Sequence, residues 1–323
     1  MNKRIICLGA ATLDTIFKVG HIPAGGGKVL PDCVVQNGSG MAIAAAVSIA
    51  RLGGEVSLWT RVGDDVAGRT FIADMEREQI SSAGIRRLPV GRTAFSSILV
   101  NAEGERLVVP FFDPDLDPDP GWLPLDEVKH AGAILCDVRW IEGARALLEQ
   151  ARRDKVPALL DADVAPPEHL RALIGLADHL LFSEPALRSL VRLETAEEAV
   201  LSIAREVNAE VICMTFGERG ALLWQRSAPD DVLHVPTIKV RAIDTLNAGD
   251  VWHGAYAYCL ANGWSTVRSV RAANVAAAIK CEHFGGWAGA PRFPELEERL
   301  RAIELARVQG AGALPRGQER LIP

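Results

Sequence analysis

The stretch AILCDVRWIEGARALLEQARRDKVPALLDA, residues 133–162, predicts two buried strands joined by a helix. Ala133–Cys136 and Ala158–Asp161 are short, mostly apolar runs, which is typical of strands covered on both faces. Gly143–Arg153, between them, has the length and mixed polarity of a surface helix. A strand, a helix and a strand in this order predict a right-handed crossover between parallel strands.

The alternation of strands and helices extends in both directions from this stretch. The further predicted strands are Ile5–Gly9, Val56–Thr60, His179–Phe182 and Val211–Thr215. The further predicted helices are Met41–Leu52, Phe71–Gln79, His169–Leu176, Ala196–Val207, Ala248–Ala261, Val267–Glu282 and Leu296–Ala306. We therefore predict an α/β fold, a doubly wound and mainly parallel sheet with helices on both faces.

Two β-rich stretches, Thr15–Gln36 and Ala94–Phe112, interrupt this alternation. In the second, Asn101-Ala102-Glu103-Gly104 separates two strand-like runs, which is a hairpin signal. We expect a small β-sheet lid over the carboxyl edge of the main sheet, where doubly wound folds bind ligands. Half-apolar outer faces on its strands favour a lid-to-lid homodimer, which would also protect the strand edges. We predict one domain over residues 1–308 and a tail over 309–323.

Composition and charge exclude several classes of function. The 323 residues include 35 Lys and Arg against 41 Asp and Glu, a net charge of −6 with no basic run, so we expect no nucleic-acid partner. Six cysteines without a Cys-x-x-Cys pair favour reduced thiols over a disulfide framework or zinc site. The longest apolar helical stretch, Met41–Ala50, has about half the length that crosses a bilayer. We expect a cytoplasmic protein with no membrane partner.

The segment Asp244–Asp250, sequence DTLNAGD, carries the strongest chemical signal because it runs into a helix of small residues. Small residues at a helix start let backbone N–H groups approach an anion, which the helix dipole also favours. The Asp250 carboxylate would repel a phosphate in that turn, so its chemical role there is that of a general base. An ordinary helix start, in which Asp250 only complements the dipole, explains this segment equally well.

Further segments decide between these alternatives. Asp244–Asp250 resembles the Asp-Thr-x-Gly-Ala-Gly-Asp signature of the PfkB, or ribokinase-like, carbohydrate kinases. Other segments resemble family motifs in the family's order over roughly residues 3 to 300: Gly9 with Asp14, Gly38-Ser39-Gly40 with Ala50-Arg51-Leu52-Gly53, Arg61-Val62-Gly63-Asp64-Asp65 with Gly68, and Thr215-Phe216-Gly217-Glu218-Arg219-Gly220. The chain is thereby identified as a member of this family, because the joint order of the motifs is highly specific.

The resemblance implies an ATP-dependent sugar kinase with a ribokinase-like fold. It makes Asp250 the catalytic base and assigns the anion hole to the amides of Ala248, Gly249 and Asp250. Asn247 stands where the family has glycine, and we expect its side chain to reach the phosphoryl group. The resemblance implies sugar contacts at Asp14, Gly38, Ser39 and Gly40, and nucleotide contacts at Thr215, Gly217, Gly220, Asn274 and Ala278. It also implies Mg²⁺ bridging the phosphates and a K⁺ site near Asp244.

Three positions depart from the family pattern. Asn247 replaces a glycine, and Asn is among the residues that tolerate a left-handed backbone. Ile43 stands where many relatives carry a sugar-binding asparagine. Ser183-Glu184-Pro185-Ala186 replaces the Asn-x-x-Glu motif that supports Mg²⁺ and phosphates. Either Glu184 substitutes in that role, next to ATP with Ser183, or it only opens a helix.

Two cations suggest the class of sugar. Lys28, in the first lid stretch, and Arg139, just after a strand, are expected to hold an anionic group at the far end of the substrate. Lys28 is equally compatible with a solvated surface lysine. Cys136–Trp140, Leu160–Asp163, Ser183–Pro185 and Gly104–Arg106 resemble the sulfofructose kinase branch, which acts on 6-deoxy-6-sulfofructose. That branch has asparagine where this chain has Pro110, so other anionic or neutral ketoses stay open.

Three other functions compete with this prediction. A nucleoside or vitamin-alcohol kinase of the same fold would need an apolar cleft where Lys28 and Arg139 supply charge. A non-catalytic homologue that binds sugar or nucleotide would have no need of Asp250. A Rossmann dehydrogenase is the weakest alternative, since Gly9–Asp14 lacks the Gly-x-Gly-x-x-Gly fingerprint.

Overall fold

The structure, a computed structural model, describes residues 4–311, with side chains described as far as residue 305. The strands are β1 (Ile5–Leu8), β2 (Thr12–Lys18), β3 (Cys33–Ser39), β4 (Val56–Gly63), β5 (Ile85–Leu88), β6 (Ala94–Val100), β7 (Arg106–Phe111), β8 (Ala133–Asp137), β9 (Ala158–Ala162), β10 (His179–Ser183), β11 (Val211–Thr215), β12 (Ala221–Gln225) and β13 (Ala228–Val235). The α-helices are α1 (Met41–Arg51), α2 (Val66–Arg77), α3 (Ile141–Asp154), α4 (Pro167–Ile174), α5 (Glu184–Leu190), α6 (Ala196–Glu206), α7 (Ala248–Ala261), α8 (Thr266–Cys281) and α9 (Phe293–Ala311).

The large sheet has nine strands in the order β13-β12-β11-β10-β9-β8-β1-β4-β5. The seven strands from β11 to β5 in this order run parallel. Successive residues of β1 enter opposite layers: Ile5 belongs to the apolar cluster that includes α1, α7 and α8, while Ile6 belongs to the cluster that includes α3, α4 and α6. Apolar side chains on both faces explain why the strand sequences are continuous apolar runs. The predicted doubly wound, ribokinase-like α/β fold is confirmed.

Sequence patterns missed the two ends of this sheet. No strand was predicted between Val211–Thr215 and the helix Ala248–Ala261, whereas β12 and β13 form an antiparallel hairpin there. β13 is mostly exposed and polar, has Pro229 near its start, and pairs with β12 through a register shift beside Gln225. An edge strand tolerates proline and polar side chains because one side of it faces water. Such a strand lacks the apolar run that identified the central strands.

The small sheet has the order β3-β2-β6-β7 and lies apart from the large one, as expected for the lid. The first predicted lid stretch, residues 15–36, forms the strand pair β2 and β3. The pair begins earlier than predicted, at Thr12, and ends later, at Ser39. The β6–β7 hairpin is closed by Asn101, whose Oδ1 accepts hydrogen bonds from the backbone N–H of Glu103 and Glu105. Gly104 supplies the positive φ of +77° in this turn.

Helix α9 runs to Ala311, past the predicted start of the tail at residue 309, and residues 312–323 lie outside the described part of the chain. All six cysteines, which fall within residues 4–311, are free of disulfides. No helix in the described range combines the length and the apolar character that a membrane span requires.

Candidate active site

A cavity of about 1330 Å³ lies between the small sheet and the carboxyl ends of the parallel strands. The predicted site residues that line it are Asp14, Ser39, Gly40, Arg139, Ser183, Glu184, Thr215, Gly217, Gly220, Asn247, Ala248, Gly249, Asp250, Asn274 and Ala278. Gly38, Lys28 and Asp244 are predicted site residues outside this lining. The topology thus brings together, in one cavity, segments that are separated by more than 200 residues of sequence.

The start of α7 provides two open hydrogen-bond donors at this cavity. Asn247 precedes the helix with φ +60°, the left-handed conformation that asparagine tolerates. The N–H of Ala248 donates to the carbonyl of Thr245 at 3.3 Å, so the expected three-amide anion hole has one amide already engaged. Within the described residues the N–H groups of Gly249 and Asp250 have no acceptor. A Cβ added at Gly249 would meet open space, so an anion can approach these donors.

Asp250 lies in the same turn, with its carboxylate held by a neighbour. Asn247 Nδ2 donates a 2.7 Å hydrogen bond to Asp250 Oδ2. Burial and, to a smaller extent, the negative charge of Asp161 raise the pKa of Asp250 to about 8, and the Asn247 bond opposes both. A carboxylate that takes up a proton near neutral pH is suited to general-base work.

Asp161 and His253 surround this base, and sequence reasoning did not single them out. His253 Nδ1 lies 2.8 Å from Asp161 Oδ2, and acceptor atoms of Asp161, Asp250 and His253 all lie within 4.8 Å of one another. Burial lowers the pKa of His253, but the carboxylate of Asp161, together with those of Asp250 and Asp163, makes the net shift upward. Asp161 ends a predicted strand and His253 follows Asp250 by one helical turn, which is the signal that could have found them.

Asp14 faces the cavity from strand β2 of the small sheet. Thr12 Oγ1 donates to Asp14 Oδ1 at 2.9 Å, and the hydroxyl groups of Ser39 and Ser96 lie close to this carboxylate. Burial raises the pKa of Asp14, and these hydroxyl groups oppose the shift. A buried carboxylate fixed by hydroxyl donors is a well-oriented acceptor for the hydroxyl groups of a polar ligand.

Thr215, Gly217 and Gly220 form a turn at the carboxyl end of β11, on the opposite side of the cavity. Gly220 has φ +94°, and a Cβ there would come within 2.3 Å of the Val235 carbonyl oxygen. Only glycine therefore allows this turn to pack against β13. Asn274 also lines the cavity, but its amide group bonds Trp252 Nε1 and the Val235 carbonyl, at 2.7 and 2.8 Å. Its role is thus to hold the wall of the cavity together.

The chain matches the family model described as pfkB family carbohydrate kinase over residues 2–292. It belongs to the PfkB family of carbohydrate kinases. A solved, provisionally named ribokinase from Agrobacterium tumefaciens is 41% identical, with a TM-score of 0.90 over 94% of this chain and 99% of that one. Ribokinase from Lactococcus lactis is 20% identical over 94% of this chain and 98% of its own length. Arabidopsis thaliana ribokinase, solved with ribose and ATP, is 19% identical with a TM-score of 0.78, and the match covers 92% of this chain and 98% of that one.

These matches confirm the predicted family and class of activity, an ATP-dependent sugar kinase. They do not separate the sulfofructose kinase branch from the other branches, so the substrate of this carbohydrate kinase remains a prediction. The kinase class also removes the dehydrogenase alternative.

Arg139 and Lys28 do not meet in the structure. The Arg139 guanidinium lines the cavity, where it donates to the Val164 carbonyl at 2.8 Å and lies 3.9 Å from the carboxylate of Asp163. Lys28 lies in the exposed loop between β2 and β3, away from the cavity lining. An anion site that uses both cations would require movement of this loop.

Asp137, at the end of β8, fixes backbone groups near the cavity. Its carboxylate accepts hydrogen bonds from the backbone N–H of Arg139 at 2.8 Å and of Ala42 at 3.2 Å. Burial raises the pKa of Asp137 to about 6, and both of these bonds oppose the shift. A Cβ on Gly9 would overlap this carboxylate at 1.9 Å, so glycine is required there. Asp137 thereby ties α1 and Arg139 to the sheet.

Gly38 has a structural function next to this region. Its N–H donates to Asp74 Oδ2 at 2.6 Å, and its carbonyl oxygen accepts from Trp287 Nε1 at 2.8 Å. A Cβ on Gly38 would come within 2.8 Å of the Phe71 ring. Of the predicted Gly38-Ser39-Gly40 loop, only Ser39 and Gly40 therefore reach the cavity, while Gly38 anchors the loop to α2.

Glu184 and Asp163 are two carboxylates at the cavity with different surroundings. Glu184 is the first residue of α5, and its carboxylate oxygens pair with Arg188 at 3.0 Å and Arg219 at 2.9 Å. Asp163 also lines the cavity, accepts a 2.6 Å hydrogen bond from Ser183 Oγ and retains 38% side-chain exposure. The carboxylate more open to the cavity is that of Asp163, which sequence reasoning did not select.

Proposed function

We propose that this kinase transfers the γ-phosphoryl group of ATP to a hydroxyl of a ketose that carries an anionic group remote from that hydroxyl. The proposal of phosphoryl transfer rests on the position of the Asp250 carboxylate at the open N-terminus of α7. It stands in the cavity between Asp14 on the small sheet and the turn that follows β11. A base and an anion hole in one turn are what in-line phosphoryl transfer needs.

The roles of the residues follow from their surroundings. Asp250 accepts the proton of the attacking hydroxyl, while the N–H groups of Gly249 and Asp250 stabilise charge on the transferred group. Asp14, with Ser39 and Gly40, orients the sugar by accepting and donating hydrogen bonds. ATP occupies the side that includes Thr215 and Gly217, and relatives solved with ATP support this substrate.

Mg²⁺ enters this proposal with ATP, because it bridges the phosphates and neutralises developing charge. Mg²⁺ prefers oxygen ligands and keeps several of its waters. Asp163, with an open carboxylate at the cavity and Ser183 beside it, fits a role in holding the ion through water. Glu184 fits a supporting role, since both of its oxygens pair with arginines and fix Arg219 at the cavity.

The anionic end of the substrate is assigned to Arg139. Its guanidinium retains 31% side-chain exposure and bonds Val164 through one nitrogen, so part of its planar fork faces the cavity. Phosphate, sulfonate and carboxylate groups match such a fork. Lys28 would contact the anionic group together with Arg139 only if its loop moves over the ligand.

The test is ADP release measured across neutral, phosphorylated, sulfonated and carboxylated ketoses, with ribose as an aldose comparison. We expect the highest kcat/KM on an anionic ketose and little turnover of nucleosides. A preference for neutral fructose or ribose would overturn the anionic assignment and leave the kinase class intact. Absence of turnover on every sugar, with ATP still bound, would overturn the proposed catalysis.

A further inference from the structure

Lys280, in the last turn of α8, is a fully buried lysine that contacts the loop leading to the anion hole. Its Nζ donates a 2.6 Å hydrogen bond to the carbonyl oxygen of Asp244 and lies 3.5 Å from Asp244 Oδ1. Lysine is almost never fully buried unless it is paired. Burial lowers the pKa of Lys280, and the Asp244 carboxylate opposes that shift by favouring the ammonium form.

Every oxygen of Asp244 already accepts at least one hydrogen bond from this chain. Its Oδ2 accepts hydrogen bonds from the N–H groups of Gly285 and Gly286, both at 2.9 Å, and its Oδ1 accepts from Leu246 at 2.8 Å. Its carbonyl oxygen is bonded to Lys280. Carbonyl and carboxylate oxygens are the ligands that an alkali cation would need. The residues around Asp244 therefore do not fit the expected K⁺ ion, because an ammonium already takes its place.

We propose that Lys280 is a built-in cation that fixes the anion-hole loop, so that this kinase works without a monovalent metal ion. The effect of Lys280 on turnover can be tested only if the proposed kinase function holds, whereas its effect on the Tm can be tested without it. Lys280 is absent from the cavity lining, so it is a positioning residue that acts through Asp244.

The path from Lys280 to the base is short and continuous. Asp244 bonds Leu246, the next residue is Asn247 with its left-handed backbone, and Asn247 holds the Asp250 carboxylate. Asp244 also fixes the turn at Gly286, where a Cβ would approach Asn247 Oδ1 to 2.7 Å. Removing the charge of Lys280 leaves the buried carboxylate of Asp244 without its cation. The hydrogen bond from Asn247 to Asp250 and the packing of Asn247 beside Gly286 then lose the interaction that holds them in place.

The first experiment compares wild-type protein in N-methyl-D-glucamine chloride and in KCl at equal ionic strength. We expect kcat with the best ketose of the panel to differ by less than about twofold, which is well under the tenfold that 1.36 kcal/mol represents. We also expect the Tm to be the same in both salts. Activation by K⁺ of about tenfold or more, or a clear rise of the Tm in K⁺, would overturn the proposal.

The second experiment compares two variants of Lys280. Lys280→Ala opens space beside Asp244, whereas Lys280→Met removes the charge but keeps the space filled. Without K⁺ we expect kcat to fall by about 100-fold in both, with KM for ATP changing far less, because a positioned transition-state contact is lost. K⁺ should restore activity and raise the Tm of Lys280→Ala alone. Lys129→Ala, which removes an exposed lysine, is the matched control and should behave as wild type.

The outcomes separate this proposal from the kinase proposal. An equal loss in Lys280→Ala with and without K⁺ would show a purely structural lysine and overturn the inference. If Lys280→Ala does not fold, the wild-type salt comparison still decides. If wild type turns over no sugar, the proposed function fails, while a K⁺-dependent Tm confined to Lys280→Ala would still support the built-in cation.

Discussion

At the scale of the residue, Asp250 joins three properties that a base for phosphoryl transfer needs. It lies beside open N–H donors, it faces the cavity, and its pKa is raised. We expect Asp250→Asn to lower kcat by roughly 10²–10⁴ while ATP binding changes little, which is the usual loss for a general base. Steady-state ADP release and ATP titration measure the two quantities. Asp230→Asn, at an exposed position of β13, is the control, and equal turnover by both variants would contradict the assignment.

The pH dependence of catalysis should report the same carboxylate. The base is active when ionised, so kcat/KM should rise with pH through an apparent pKa near 8. Asn247→Gly keeps a residue that accepts φ +60° but removes the hydrogen bond that stabilises the ionised form. The profile should therefore move to higher pH, by about one unit for a bond to a charged group. An unchanged or lower apparent pKa in Asn247→Gly would contradict this role.

Arg139 is the residue that should separate anionic from neutral sugars. Charge-assisted hydrogen bonds are worth roughly 1.5–3 kcal/mol, so Arg139→Met should raise KM for an anionic ketose about tenfold or more. Fructose has no group for the guanidinium to hold, and its KM should change far less. Kinetics on the two sugars provide the comparison. An equal loss on both would mean that Arg139 serves only its bond to Val164.

Single residues also show how far the sequence could predict the site. Asp250 and Asn247 were found because their chemistry is local, within one turn of one motif. Lys280 and its partner Asp244 are 36 residues apart, and Asp137 and Ala42 are 95 residues apart. Nothing in their own surroundings in the sequence distinguishes these residues from a surface lysine or a strand-ending carboxylate. Their function arises only from the fold that places them in contact.

At the scale of the element, the small sheet has a small apolar core, and we expect it to open more readily than the large sheet. The core under the small sheet comprises four buried side chains, Ile16, Ile98, Val100 and Leu246, whereas the large sheet has an extensive apolar layer on each face. Little buried apolar area means a low free energy of local opening, as lids require. We expect a sugar ligand to reduce amide exchange in β2 and β6 more than in β11, measured by hydrogen–deuterium exchange. Equal protection of all three strands would argue against a moving lid.

Elements differ in how well the sequence predicted them. The central parallel strands were found because burial on both faces imposes an apolar run. β5 and β13 were missed because a strand at a sheet edge has no such requirement, whereas β12, sequence ALLWQ, is a buried apolar run that was not recognised as a strand. Helix α7 was predicted with its observed bounds, Ala248–Ala261. A glycine-containing loop marks its start, and a run of small residues marks it as a closely packed helix.

At the scale of the whole molecule, the outer face of the small sheet is unusually apolar. In strand β7, Leu107, Val109 and Phe111 are exposed, and Val109 exposes 59% of its surface. The strands β3 and β7 also end the four-strand order, so each has an edge without a partner strand in this sheet. Exposed apolar patches beside open edges mark surfaces for association.

We propose that two copies of the chain associate through these small sheets. The mass of the single chain is 34.8 kDa, and light scattering coupled to size-exclusion chromatography should give twice this value. Val109→Lys places a charge in the apolar face without touching the cavity lining, so it should shift the protein to monomer. Val66→Lys, at a position of α2 that is 72% exposed, is the control and should leave the mass unchanged. A wild-type monomer at micromolar concentration, or a Val109→Lys dimer as stable as the wild type, would contradict association through this face.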